Sequence, residues 1–198
     1  MKKMLVCLLC LLLLLLHTSC SQSSVVPENE APVEEPSQST DPTPEPPSAV
    51  EDSRLFSLEK YFQILPGQSY QEVQGILGNP GEIMVDNEHL KSFQWTNEDG
   101  SMISVNFYDD EMVSKAQAHL GPLLEGGQRV TQNQFDNLQD GMTLEEVTSV
   151  LGPGTERVYS LNDGIEERII GWENSDGGEI SVTLLNNRVT RLSDLMLK

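Results

Sequence analysis

One segment of this chain is written twice, and that repetition limits what it can fold into more than any other feature. Gly67, Glu72, Val73, Leu77 and Gly78 recur as Gly141, Glu146, Val147, Leu151 and Gly152, at a constant offset of 74. Further on, Trp95, Asn97, Asp99, Gly100, Ile103, Ser104 and Val105 recur as Trp172, Asn174, Asp176, Gly177, Ile180, Ser181 and Val182, at an offset of 77. A chain of this kind is expected to fold as two like units, here residues 54–124 and 125–198.

The chemistry of the first conserved stretch is that of a short capped helix. Ser69 with Glu72, and Thr143 with Glu146, have capping-box spacing, in which hydroxyl and carboxylate each satisfy an orphan backbone N–H. Met142 and Val147 stand where a hydrophobic staple would close the second of them. Gly78 and Gly152 follow the last apolar residue, where a left-handed C-cap is expected. Each copy is thus predicted to carry a helix of about eight residues. Before it, Leu55, Leu58, Phe62 and Leu65 recur at helical spacing, whereas the second copy keeps only Phe135 and Leu138 of that signal.

The second conserved stretch reads as strands. Ile103, Val105 and Phe107 alternate with Ser104, Asn106 and Tyr108, and Ile180, Val182 and Leu184 repeat the pattern. Asp99-Gly100 and Asp176-Gly177 are hairpin signals, and Asp109-Asp110 and Asn186-Asn187 mark the next turns. Further strands are expected near 83–86, 112–116, 157–161 and 189–192. The predicted class is α+β: two tandem units, each of two short helices and a three- or four-stranded antiparallel meander, joined by residues 121–128.

This layout resembles the β-lactamase-inhibitor-protein-like fold, shared with small bacterial lipoproteins of the SmpA/OmlA type. The resemblance rests on the two helix signatures ending in Gly78-Asn-Pro80 and Gly152-Pro153, and on the stretches at Trp95 and Trp172. It implies a binding module rather than an enzyme, with helices on one side of a long sheet and the open face meeting a protein partner. The inhibitor carries disulfides within its repeats and this chain has no cysteine there. The inhibitor's contact residues do not map one by one, so none is carried over, and β-lactamase inhibition itself is not the leading expectation.

Ahead of the repeats, Lys2 and Lys3 precede an apolar run from Met4 to Leu16, which is shorter than the ~20 residues a spanning helix needs and fits a secretory signal over residues 1–19. Thr18 and Ser19 then lead into Cys20, as small residues do before a lipidated cysteine, although His17 stands where a lipobox usually has Leu. No cysteine follows Cys20, so lipidation there accounts for an otherwise odd thiol. Residues 21–53 hold seven of the 11 prolines and eight acids with no Lys or Arg, the composition of a disordered tether. At ~3.1 Å per residue such a segment reaches up to roughly 100 Å. The expected address is the cell envelope, outside the cytoplasm, with a membrane anchor through the lipid.

Lys+Arg number 12 against 31 Asp+Glu, a formal net charge of −19, which repels phosphate backbones and anionic lipid surfaces. Nucleic acid is excluded as a partner on that ground. Past residue 20 the histidines are His89 and His119 alone, and no P-loop, HExxH or Gly-x-Ser-x-Gly appears, so no catalytic residue, metal or cofactor is expected. Asn97-Glu98-Asp99-Gly100 and Asn174-Ser175-Asp176-Gly177 superficially resemble calcium loops, but they lack the downstream bidentate Glu and read as hairpin turns. The acidic run 109–111 reads as a solvated turn or a rim contact for a basic partner. The expected contact surface is the strand face opposite the core, with Met102, Tyr108 and Leu185 as its apolar groups. Trp95 and Trp172 are either core residues or anchors on that face. The leading expectation is a monomeric, non-catalytic envelope lipoprotein that binds a protein. The alternatives are a structural stabiliser of an envelope complex and a sensor of a small ligand or cation.

Overall fold

A computed structural model describes residues 55–198; the expected signal, Cys20 and the tether lie outside the described residues. In chain order the elements are α1 (Leu58–Gln63), α2 (Tyr70–Leu77), β1 (Glu82–Asp86), β2 (Leu90–Thr96), β3 (Met102–Tyr108) and β4 (Glu111–Ala118). A short 3₁₀ turn (Gly126–Gln128) leads to α3 (Gln132–Phe135), α4 (Leu144–Leu151), β5 (Thr155–Asn162), β6 (Ile165–Glu173), β7 (Glu179–Leu185) and β8 (Arg188–Leu195). Among the described residues no helix is long and apolar enough to cross a membrane.

Both capping boxes form. Ser69 Oγ accepts from the Glu72 amide while the Glu72 carboxylate takes the Ser69 amide, and Thr143 with Glu146 does the same, so α2 and α4 are eight residues each. Their ends differ. Gly78 takes the expected left-handed conformation (φ 86°, ψ −3°), but Gly152 has φ 81° with ψ −174°. Pro153 follows Gly152 directly, and the ring of a proline forces its predecessor toward extended ψ. In the first half Asn79 intervenes before Pro80, so Gly78 is free of that clash.

The helical spacing of Leu55, Phe62 and Leu65 marks the wrong face of α1. All three are exposed, while Phe56, Tyr61 and Ile64 are buried. The helix has only six residues, and Leu55 and Leu65 lie outside it, where a period of 3.6 has no meaning. In the second half α3 is shorter still, with four residues and its own capping box of Thr131 and Gln134.

The strands form one antiparallel sheet in the order β1-β2-β3-β4-β5-β6-β7-β8, rather than two separate meanders. The junction between β4 and β5 consists of three pairs, Ser114–Ser160, Lys115–Tyr159 and Ala116–Val158. Several hairpin turns hold non-glycine residues at positive φ: Asp109-Asp110 and Asn186-Asn187, as their sequence suggests, and Asp163 before Gly164 between β5 and β6. Two hydrophobic clusters fill one side. The first joins Tyr61, Val73 and Leu77 to Phe93, Trp95, Ile103, Val105 and Phe107. The second joins Leu138, Val147 and Leu151 to Ile170, Trp172, Ile180, Val182 and Leu184. Directly opposed strand residues share a face, and the row Val105–Lys115–Tyr159–Arg168–Leu184 runs from one cluster to the other, so both lie on the same side of the sheet.

Candidate binding face

The opposite side of the sheet carries no helix among the described residues. Its composition follows from the register. One row crosses the strands as Gln94, Ser104, Ala116, Val158, Ile169 and Thr183, and the row beside it as Ser92, Asn106, Ser114, Ser160, Glu167 and Leu185. Short side chains dominate. Asn106, Ser114 and Ser160 are buried, and Asn106 Nδ2 donates to Ser114 Oγ at 2.8 Å. The apolar centre is Ala116, Val158 and Ile169, contiguous across the β4–β5–β6 junction and half-buried.

Met102, Tyr108 and Leu185 lie on this face and are each half-buried, but they do not meet. Met102 and Tyr108 sit at the two ends of β3, about 20 Å apart at 3.3 Å per residue. Leu185 ends β7, four strand steps from β3, or about 19 Å at 4.8 Å per step. Tyr108 also stacks on His89, with ring centroids 5.8 Å apart, and His89 Nδ1 is 2.8 Å from an Asp109 carboxylate oxygen. The three residues thus frame the face, and the centre belongs to residues the sequence did not single out. Ile169 precedes core residue Ile170, so its out-of-phase apolar character was a signal. That Val158 and Ala116 join it depends on register and has no local mark.

Trp95 and Trp172 must be taken off the contact surface. Both are 1% exposed on the helix side of the sheet. Trp95 Nε1 donates to the Asn79 carbonyl at 2.9 Å and Trp172 Nε1 to the Gly152 carbonyl at 3.1 Å. Each ring lies against a backbone too close to admit a Cβ, at Gly81 and at Gly154. A buried indole that has spent its one donor on backbone leaves a partner nothing to touch. Asn97 and Asn174 are equally structural. Asn97 Oδ1 accepts from Leu55 N and Phe56 N, and Asn174 both accepts from Val130 N and donates to Val130 O.

At one end of the face, β4, β5, β6 and the linker enclose a shallow hollow of about 180 Å³, lined by Gln117, His119, Thr155, Arg157 and Glu173 among others. Arg157 lies flat over Gly171, and its guanidinium is held between Glu173 and Glu179 at 2.9 Å each, so its charge is already neutralised.

The helix side of the seam between the two clusters holds a buried ionic group that local sequence does not announce. Lys115 Nζ donates to the carbonyls of Tyr61 and Ile64 at 2.9 Å, lies over the Tyr61 ring at 4.1 Å, and is 3.7 Å from Glu156. Arg168 reaches Glu156 at 3.7 Å and Glu166 at 2.9 Å. Burial pushes the Lys115 ammonium down and the Glu156 carboxyl up, and each partly offsets the other. Burial, then the Glu156 carboxylate, keeps the Tyr61 phenol well above its ordinary range. The amine is committed to ending α1, and the cluster joins that helix to the seam of the sheet. Among the described residues no group of three or more His, Cys, Asp or Glu could hold a metal ion.

The comparisons agree with this architecture. No curated protein matches the chain. The fold is similar to a solved structure from Streptococcus mutans described as a candidate beta-lactamase inhibitor protein, at 18% identity and a TM-score of 0.52, covering 67% of this chain and 85% of that one. At that identity the likeness is one of fold. The family described as beta-lactamase inhibitor (BLIP) matches residues 57–160, from the start of α1 through most of β5. That match spans just over half of the chain, and the chain therefore belongs to the beta-lactamase inhibitor (BLIP) family.

Proposed function

We propose that this chain is a non-catalytic protein-binding module, held in the cell envelope by a lipid on Cys20, that meets its partner through the helix-free face of the sheet. The observation that carries the reading is that face itself, eight strands wide, with an apolar centre of Ala116, Val158 and Ile169 in a field of Ser and Thr. A surface of short side chains accepts a partner's protruding groups, and the apolar groups Tyr108, Met102 and Leu185 stand round its margin. The family description adds a protein target, and the two like halves, each with a capping-box helix directly before four strands, are read as tandem copies of one unit. We read the chain as a monomer on a tether from residue 20 to residue 53.

The test places a photo-crosslinking amino acid in intact cells at Thr183, on the open face, and separately at Glu145, on the exposed side of α4. A protein adduct at Thr183, absent at Glu145 and weakened by Ile169→Glu, is the expected result. Adducts from Glu145 alone, or from neither position, overturn the reading. A β-lactamase is the first purified partner to assay because the family description names it. Cys20→Ser tests the anchor: the protein is expected to leave the membrane fraction, and its retention there would refute lipidation.

A further inference from the structure

Among the described residues the eight-stranded sheet has two open edges, β1 and β8, and they are unlike. An edge strand presents unpaired backbone N–H and C=O groups, and natural proteins guard such edges with charge, proline, bulges or a cover. β8 is guarded: Arg188, Thr190, Arg191, Ser193 and Asp194 are exposed along it, its one exposed large apolar group, Leu195, stands at its last position, and its register slips at Thr190. β1 is guarded far less. Its centre is Ile83-Met84-Val85, with Ile83 58% and Met84 45% exposed. Ile83 pairs with core residue Phe93 and Val85 with Ser92, so apolar groups project on both sides of the sheet at this edge. The register slips at Met84, and the charges present are acids at the two ends, Glu82 and Asp86.

Those acids decide what can pair there. A second copy's β1, antiparallel and centred on Met84, would set Glu82 against Asp86 at both ends, and like charges directly opposite destabilise a strand pair. A second copy's β8 offers a broken, charged edge. The chain's own residues 21–53 carry eight acids and no basic group, and are repelled on the same grounds. What fits is an extended segment with an apolar centre and a basic residue toward each end. Glu82 is opposite Gln94 and so keeps its charge uncompensated, whereas Asp86 has Lys91 opposite.

We infer that β1 is a strand-addition edge for an extended, apolar, basic-flanked segment of another protein, separate from the open face. Backbone hydrogen bonds supply the attraction, and Ile83, Met84 and the end carboxylates supply the selection.

The probes are three labelled peptides, KTVIVTK, its acid-flanked twin ETVIVTE, and the strand-breaking KTVPVTK, titrated against the full chain by anisotropy. The lysine-flanked peptide is expected to bind at least tenfold more tightly than either control and to slow hydrogen exchange at β1 but not at β8. Met84→Lys is expected to weaken it at least tenfold, and Glu82→Lys with Asp86→Lys to reverse the preference toward the acid-flanked peptide. All three positions are exposed, and a thermal midpoint checks that each variant still folds, Asp86→Lys above all because it sets a second cation opposite Lys91. Equal binding of the acid-flanked twin, no binding of any peptide, protection at β8 or at Thr183 instead, or self-association of the chain that Met84→Lys abolishes would each overturn the inference. Thr183 crosslinking reads the open face independently, so either proposal can fail alone.

Discussion

The two halves of the sheet are joined in the same places and filled with different material. In both, an indole donates to the chain just past a helix, Trp95 to Asn79 and Trp172 to Gly152. In both, a buried asparagine grips the incoming backbone, Asn97 at Phe56 and Asn174 at Val130. In both, the last hairpin is tied to the helix entry by a reciprocal backbone contact, Met112 N to Gln68 O and Val189 N to Met142 O. Between these joints the packing diverges. The first half stacks Tyr70 on Phe93 at 4.2 Å with Phe107 edge-on. At corresponding places the second half has Leu144, Ile170 and Leu184. Directional contacts that satisfy buried polar groups admit few substitutes, whereas apolar volume can be supplied by an aromatic ring or by branched aliphatics.

The sharpest way to break that comparison is to remove an indole from each half. Trp95→Ala and Trp172→Ala should each cost about 3–5 kcal/mol, from lost burial and the cavity left behind. If the joints are what the halves share, the two losses agree within about 1 kcal/mol despite the different surroundings. Urea unfolding at constant m-value measures both. A loss at Trp95 well below that at Trp172 would mean that the aromatic cluster relaxes into the gap, and that packing rather than the joint sets the cost.

The next test concerns the one joint the second half lacks. At the position of Lys115 the second half carries Leu192, which packs partly buried against its cluster. Lys115→Ala should cost about 3 kcal/mol, because it strips two carbonyls of their donor and leaves Glu156 with Arg168 as its remaining ion partner. Lys115→Met should recover about half of that, since it restores volume but not the hydrogen bonds. Full recovery in the urea midpoint would show that the first half could have used a hydrophobe here, as the second does.

What was legible in the sequence was local chemistry. The capping boxes at Ser69 and Thr143, and the turns at Asp109 and Asn186, follow from contacts within three or four residues. Tyr61 was missed because a six-residue helix gives periodicity too little length to act on, and its neighbour Phe62 took its place in the pattern. The ionic seam was illegible because Lys115 reaches carbonyls 54 and 51 residues away. The apolar centre of the open face was hidden for a related reason. Ala116, Val158 and Ile169 come from three strands and share a row only once the register is set. The indoles at Trp95 and Trp172 were visible as a matched pair, but strand alternation alone does not say which face the helices cover.

The smallest expected effect separates the two equivalent turns. Asp99 closes its own turn, accepting from Ser101 N at 2.8 Å and Ser101 Oγ at 2.6 Å. Asp176 instead takes the Arg129 guanidinium just past the linker, the Gly178 amide and the Lys198 ammonium at the C-terminus. The Arg129 contact above all holds its carboxyl down to about 2, against an ordinary 3.8. A carboxylate with a depressed folded-state pKa contributes stability that is present above its unfolded value and is lost as pH falls through the folded one. Lowering pH from 5 to 2 should therefore reduce the thermal midpoint. Glu72 and Glu146, lowered chiefly by the backbone amides of Ser69 and Thr143, lose their contribution below about 4.5 in the same direction. Asp176→Asn should flatten the part of the curve between about 4 and 2 and leave the midpoint near neutral pH only slightly lower, because the turn is solvent-exposed and its ion pairs are screened. Hydrogen exchange places the loss: amides near Arg129 and the C-terminus should lose protection as pH falls toward 2, and Asp176→Asn should remove that dependence on pH. An acid response at those amides that Asp176→Asn leaves unchanged would mean that the tie from Asp176 to Arg129 is an idle surface contact, and that the two halves end their strands in the same way after all.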